Sequence, residues 1–226
     1  MKKIGLIGGV SWTSTIDYYR LINQEVNERL GGLNSAEIII YSLNFADVQE
    51  VGWENAFNLL IDAANKLKQS GVEAIALCAN TAHLFADKLK KKVELPIISI
   101  VDATANEVQE KGIKKVALLG TKYTMELDFY RKRLESFDIE VFIPKKQETR
   151  NEIQRIVKDE LGKGIVKSKS KETLISNINT LVNNEARGVI LGCTELPLLI
   201  EQEDVSIPIF DTTKIHSNAI VNYILN

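Results

Sequence analysis

The chain holds two cysteines, Cys78 in "LCANTAH" (77–83) and Cys193 in "LGCTEL" (191–196), each closing an apolar run, Ala74–Leu77 and Gly188–Leu191. Asn80 and Thr81 follow the first, Thr194 and Glu195 the second. The residue types leave three readings open: a pair of acid–base thiols, two small buried residues, or a disulfide. A thiolate is a competent base and a thiol a competent acid. Two such groups on opposite faces of a ligand would remove a proton from carbon and return one on the far side, inverting that carbon. Asn80 and Thr81 offer an amide and a hydroxyl for a neighbouring carboxylate, whose charge grows as the carbanion forms. Glu195 could orient or deprotonate the second thiol.

These residues need elements that bring them to one place. Strands are predicted at 3–8, 37–42, 72–78, 96–100, 115–119, 139–143, 188–193 and 207–210, mostly as continuous apolar runs, the pattern of strands covered on both faces. Amphipathic stretches of helical length lie between them, at 14–29, 54–69, 81–92, 102–111, 124–136, 148–161, 171–184 and 212–225. Such alternation predicts parallel sheets built from right-handed βαβ crossovers.

The chain also repeats itself. "KIGLIGGVSWTSTIDYYR" (3–20) can be laid on "KVALLGTKYTMELDFYR" (115–131), and "LPIISIVDAT" (95–104) matches "IPIFDTTKIH" (207–216). Seventy-three residues separate Gly5 from Cys78 and Gly120 from Cys193. Two similar α/β halves are expected, 1–97 with 209–226 and 98–208, related by a pseudo-twofold axis. Ligands of open α/β sheets bind at the carboxyl ends of the strands, so the active site is expected in the cleft between the halves, with both thiols in it. Helix starts near Thr81 and Glu195 would favour a thiolate and an anion.

Composition excludes other classes. The net charge of −2 and the lack of a basic patch interleaved with aromatics argue against nucleic acid. No apolar run approaches the ~18 residues of a membrane span. "MKKIGLIGG" reads as a first strand rather than a signal peptide, so reduced thiols and a cytoplasmic location are expected. Dispersed His and Cys lack metal-site spacing, and "GLIGG" lacks the dinucleotide glycine pattern. No cofactor is expected. His83 and His216 read as structural.

"IGLIGGVSWTSTIDYYRLIN" (4–23), "RLGGLNSAEIIIYSLNF" (29–45), "LCANTAH", "ALLGTKYTMELDFYRKRL" (117–134), "LGCTE" and "IPIFDTTKIH" give the chain an end-to-end resemblance to the aspartate/glutamate racemase family, cofactor-independent two-cysteine enzymes, and to its broad-specificity branch. The resemblance implies two Rossmann-like domains, a homodimer, an amino-acid substrate, and Cys78 and Cys193 as the acid–base pair. It implies that Asn80, Thr81 and Thr194 bind the α-carboxylate, with Ser11, Trp12, Tyr123 and Thr124 lining the cleft. Two features depart from the family pattern. Ala79 separates Cys78 from Asn80, where many relatives have Cys-Asn-Thr. Gln49 stands where some carry an arginine for the side-chain carboxylate, and Lys163 only approximates a second basic position. Related enzymes that isomerise maleate, racemise hydantoins or decarboxylate malonates are the alternatives, as is a non-catalytic amino-acid binder. Retention of both cysteines counts against the decarboxylase.

Overall fold

The apolar runs become the strands of two parallel sheets. The computed structural model describes the whole chain, Met1–Asn226. The first unit comprises Met1–Ile100 and Thr213–Asn226. It runs β1 (Ile4–Gly8), α1 (Trp12–Leu30), β2 (Ile38–Ser42), α2 (Phe45–Val51), α3 (Phe57–Gln69), β3 (Ala74–Leu77), α4 (Ala86–Val93) and β4 (Ile97–Ile98). After α5 (Ile100–Glu110), the second unit, Val101–Thr212, contains β5 (Lys115–Gly120), α6 (Lys122–Glu126), α7 (Asp128–Glu135), β6 (Glu140–Phe142), α8 (Gln147–Arg155), α9 (Ser168–Asn183), β7 (Gly188–Gly192) and β8 (Ile209–Asp211). The last helix, α10 (Thr212–Leu225), belongs almost wholly to the first unit.

The sheets share one topology, β2-β1-β3-β4 and β6-β5-β7-β8, as a duplicated plan requires. All ladders are parallel. β1, β3 and β7 are buried along their whole length, while the edge strand β2 is only half-buried. Residues 209–226 divide differently from the sequence reading: β8 pairs with β7 in the second sheet, and only α10 joins the first unit. Each half thus completes its own sheet with its apolar-proline strand. α2 was not anticipated, and the long helix expected at 124–136 is broken at Leu127, whose backbone is extended.

Sequence alternation decides which helices each strand residue meets. In the first unit Ile7, Ile75, Leu77 and Ala79 pack on α3 and α4, through Leu60, Leu67 and Leu89. The opposite face, Ile4, Leu6, Ala74, Ala76 and Cys78, packs on α1 and α10, through Tyr18, Ile22 and Ile220. In the second unit Ala117, Leu119, Val189, Leu191 and Cys193 pack on α8 and α9, through Ile153, Leu174 and Ile178.

Two buried histidines fasten the end of the first sheet. His83 donates from Nδ1 to the Ala79 carbonyl at 2.9 Å and accepts the Ile100 N–H on Nε2 at 3.1 Å. His216 donates from Nε2 to the Ile98 carbonyl at 2.9 Å and accepts the Tyr18 hydroxyl on Nδ1 at 2.8 Å. A carbonyl only accepts, so these partners define the tautomers of both neutral rings. Burial, with His83 alongside, depresses the His216 pKa to about 3. An unfolded histidine takes its proton near pH 6.5. The native state is therefore favoured above about pH 6.5, and that advantage is lost as pH falls toward about 3. Between pH 6.5 and 5 the expected loss is on the order of 2 kcal/mol, from one proton held only by the unfolded chain. His216→Gln keeps a donor and an acceptor without titrating. Urea unfolding at the two pH values should show a smaller drop for the variant, and equal drops would remove His216 as the cause.

Candidate active site

Cys193 is the first residue beyond β7, and its thiol donates to Glu195 Oε2 at 2.8 Å. The Thr194 hydroxyl donates to the same oxygen at 2.9 Å. Cys193 is 7% exposed and Glu195 8%. Burial, then the adjacent Glu195 carboxylate, pushes the Cys193 thiol well above its ordinary range, against weaker help to the thiolate from the Glu195 and Thr194 backbone N–H groups. The resting group is therefore a thiol with a proton acceptor already in contact. A thiolate favoured by a helix start is not what forms, because burial and the Glu195 carboxylate outweigh the backbone N–H groups, and the turn that follows, Leu196–Leu198, is only a three-residue 3₁₀ turn. After Cys78 the corresponding element, Thr81–Phe85, is likewise 3₁₀.

Cys78 has a different setting. It is 2% exposed, and burial alone raises its pKa. Its N–H still donates to the Ile7 carbonyl at 2.9 Å, so it is the last residue of the ladder rather than the first beyond it. Its side chain belongs to the apolar layer of Leu6, Tyr18 and Ala76.

The two cysteines are therefore not equivalent, contrary to the reading from the repeat. Ile7 pairs with Leu77, and Leu119 with Leu191. Counting on from those leucines, Cys78 matches Gly192, and Ala79 matches Cys193. The helix faces agree, since Ala79 lies on the side of α3, the β2-to-β3 crossover, and Cys193 on the side of α9, the β6-to-β7 crossover. At Gly192 a Cβ would stand 2.9 Å from Leu118 Cδ1 and 3.0 Å from Thr124 Cγ2, on the face that Cys78 occupies with Leu6 in the first unit. The equal 73-residue spacing misled because it joins Gly5, inside β1, to Gly120, the last residue of β5. Once the ladders equate Leu77 with Leu191, parity separates the two cysteines. Cys78 directly follows Leu77, whereas Gly192 stands between Leu191 and Cys193.

The other expected residues fall into distinct settings. Asn80 and Thr81 are buried at the turn after Cys78. Ser11 caps α1, its side chain accepting the Ser14 N–H at 3.3 Å. In the second unit Thr121 caps α6 in the same way, accepting the Thr124 N–H at 3.2 Å. The sequence reading overlooked Thr121 and named Thr124, which is fully buried. Tyr123 is exposed, as is Trp12 at 67%. Gln49 lies on the exposed face of α2, and Lys163 is exposed. Near Lys163 the buried charge is Glu160, whose carboxyl is held down to about 2 by the Ser170 hydroxyl and the Arg155 guanidinium, with Lys167 adding to them. No group of three His, Cys, Asp or Glu side chains is placed to hold a metal ion. No helix is long and apolar enough to cross a membrane.

Known proteins agree with the two-unit plan. Residues 7–220 match the family model for Asp/Glu/hydantoin racemases. The chain is 25% identical over 217 residues to the broad-specificity amino-acid racemase RacX of Bacillus subtilis, covering 93% of this chain and 92% of that one. Among solved structures, a Yersinia pestis protein assigned to the Asp/Glu racemases is 45% identical with a TM-score of 0.93, both chains being covered in full. An aspartate racemase homologue from Pyrococcus horikoshii is 42% identical with a TM-score of 0.86, again over the full length of both. The chain belongs to the Asp/Glu/hydantoin racemase family, and it is an enzyme of the racemase class.

Proposed function

We propose that the chain interconverts the L- and D-forms of a free amino acid, aspartate, glutamate or a broader set, with no prosthetic group. The observation that carries this reading is the Cys193–Glu195 contact of 2.8 Å, a thiol in hydrogen-bond reach of its own base. Glu195 takes the thiol proton, and the thiolate takes the α-proton. Thr194, next to the thiol in the chain, is the donor proposed for the α-carboxylate as it gains enediolate charge. The RacX likeness supports a broad substrate range, and so does Gln49, a neutral group where an arginine would select an acidic side chain.

A second copy of the chain is proposed as the partner. Trp12, Ile16 and Tyr19 recur at helical spacing on α1 and are 67%, 55% and 52% exposed. A monomeric mass by light scattering would exclude this.

The test of activity is proton NMR in D₂O with L-aspartate, L-glutamate and a panel of other L-amino acids, followed by chiral chromatography. Loss of the Cα signal and appearance of the D-form, with no pyridoxal phosphate added, is the expected result. A folded, reduced protein silent across the panel would sink the reading. Ala79 favours one other reaction, in which Cys193 delivers a single proton to the carbanion left when a substituted malonate loses CO₂. Release of CO₂ from such an acid, without amino-acid racemisation, would select it.

A further inference from the structure

We infer that Ala79, and not Cys78, occupies the first unit's counterpart of the Cys193 position, so that the enzyme works with one acid–base thiol and takes its second proton from water. The inference rests on the racemase reading for its chemistry, but its geometry stands on the sheets alone. Both ladders place Ala79 and Cys193 two residues past an equivalent pair, Ile7–Leu77 in one sheet and Leu119–Leu191 in the other. Both residues lie on the face of the crossover helix that precedes their strand. Cys78 points to the opposite face and is packed among Leu6, Tyr18, Ala76 and Val221. Successive strand side chains alternate faces, so no small adjustment exchanges Cys78 for Ala79.

A methyl group neither accepts nor donates a proton. The steps available are therefore asymmetric. Glu195 accepts the Cys193 S–H proton, and the thiolate then removes the Cα proton, the C–H electron pair passing into the carboxylate as an enediolate. Return of a proton from Cys193 to the same face regenerates the original enantiomer. Through Glu195 that proton can come from solvent, so the amino acid exchanges its Cα proton without changing hand. Inversion requires a proton on the other face, and water is the donor that balances the step. A thiol at position 79 would make inversion efficient; alanine makes it the slow branch.

In a two-thiol enzyme each inversion leaves the substrate's proton behind and places solvent deuterium in the product alone. In D₂O the wild-type protein should instead place deuterium in one enantiomer, with its hand retained, at least tenfold faster than the opposite enantiomer accumulates. Cys78→Ala should keep exchange within about threefold of wild type, and Ala79→Cys should raise the ratio of inversion to exchange about tenfold or more. These magnitudes follow from the 10²–10⁴-fold worth of a placed acid or base. Deuterium confined to the inverted product would overturn the inference. So would a folded Cys78→Ala protein that loses activity a hundredfold, or an Ala79→Cys protein with an unchanged ratio.

Peptide mapping after iodoacetamide treatment of native wild-type protein decides the same point without turnover. Cys193 should be alkylated at least tenfold faster than Cys78, which should react only on unfolding. Equal rates, with both sites protected by substrate, would overturn the single-thiol assignment. An enzyme inactive toward every amino acid would sink the racemase reading, and the alkylation pattern would still decide between one thiol and two.

Discussion

Cys193→Ala is expected to lower both Cα exchange and racemisation by on the order of 10³-fold or more, with unchanged circular dichroism and only a small drop in unfolding midpoint. The thiol, in contact with Glu195, can accept a proton from carbon once its own has left, and a placed acid–base group contributes about 10²–10⁴-fold. Loss of one sulfur atom from a cluster of aliphatic side chains leaves a small void, so the fold should persist. Glu195→Gln separates the thiol's presence from its activation. Glutamine can still accept a hydrogen bond from Cys193, but it cannot take the proton away. Turnover should fall on the order of 10²-fold with KM little changed. A Glu195→Gln enzyme at full rate would show that another group deprotonates Cys193. If Cys193→Ala retained activity, the catalytic centre would lie elsewhere in the chain.

The largest expected loss of stability comes from Gly9→Ala. Gly9 has φ +87°, and a Cβ built there would stand 2.1 Å from the Leu43 carbonyl oxygen. The neighbouring backbone cannot withdraw, because the Leu43 N–H is bonded to the Gly8 carbonyl at 3.0 Å, extending the β1–β2 ladder. Left-handed strain and a backbone collision together should cost on the order of 3 kcal/mol or more. That is a large share of the about 5–15 kcal/mol by which domains are stable. Gly164 is the control, a left-handed cap with φ +71° but nothing within 4 Å of its Cβ position. Gly164→Ala carries only the conformational cost, about 1–2 kcal/mol. Chemical unfolding of the two variants should separate them clearly; equal losses would show that the Leu43 contact relaxes at no cost. The same turn delivers the chain to Ser11, the cap of α1, so Gly9→Ala should also disturb the start of that helix.

Much of this molecule could be read from its sequence because the governing rules are local. Uninterrupted apolar runs such as "AIAL" and "GVIL" specify strands covered on both faces, and the spacing between them specifies crossover helices. Repetition of the order strand, glycine turn and helix carried the two-sheet plan, including its parallel direction. Cys193 and Glu195 were legible as partners because two residues on a tight turn stay close whatever surrounds them. Tyr18 and His216, 198 positions apart, could not be paired in this way, and their bond exists only because α1 and α10 cover the same face of one sheet.

Tertiary structure decided the asymmetry of the two halves. By sequence Cys78 and Cys193 look alike, each a cysteine after an apolar run and before a threonine-bearing turn. Only the ladder partners, Ile7 with Leu77 and Leu119 with Leu191, fix where each strand stops. One residue of register turns a side chain through the sheet, which leaves Cys78 in the core layer and Ala79 in its place at the strand end. Register is set by hydrogen bonds between strands some 70 residues apart in the chain, and that is information no local pattern of residue types contains.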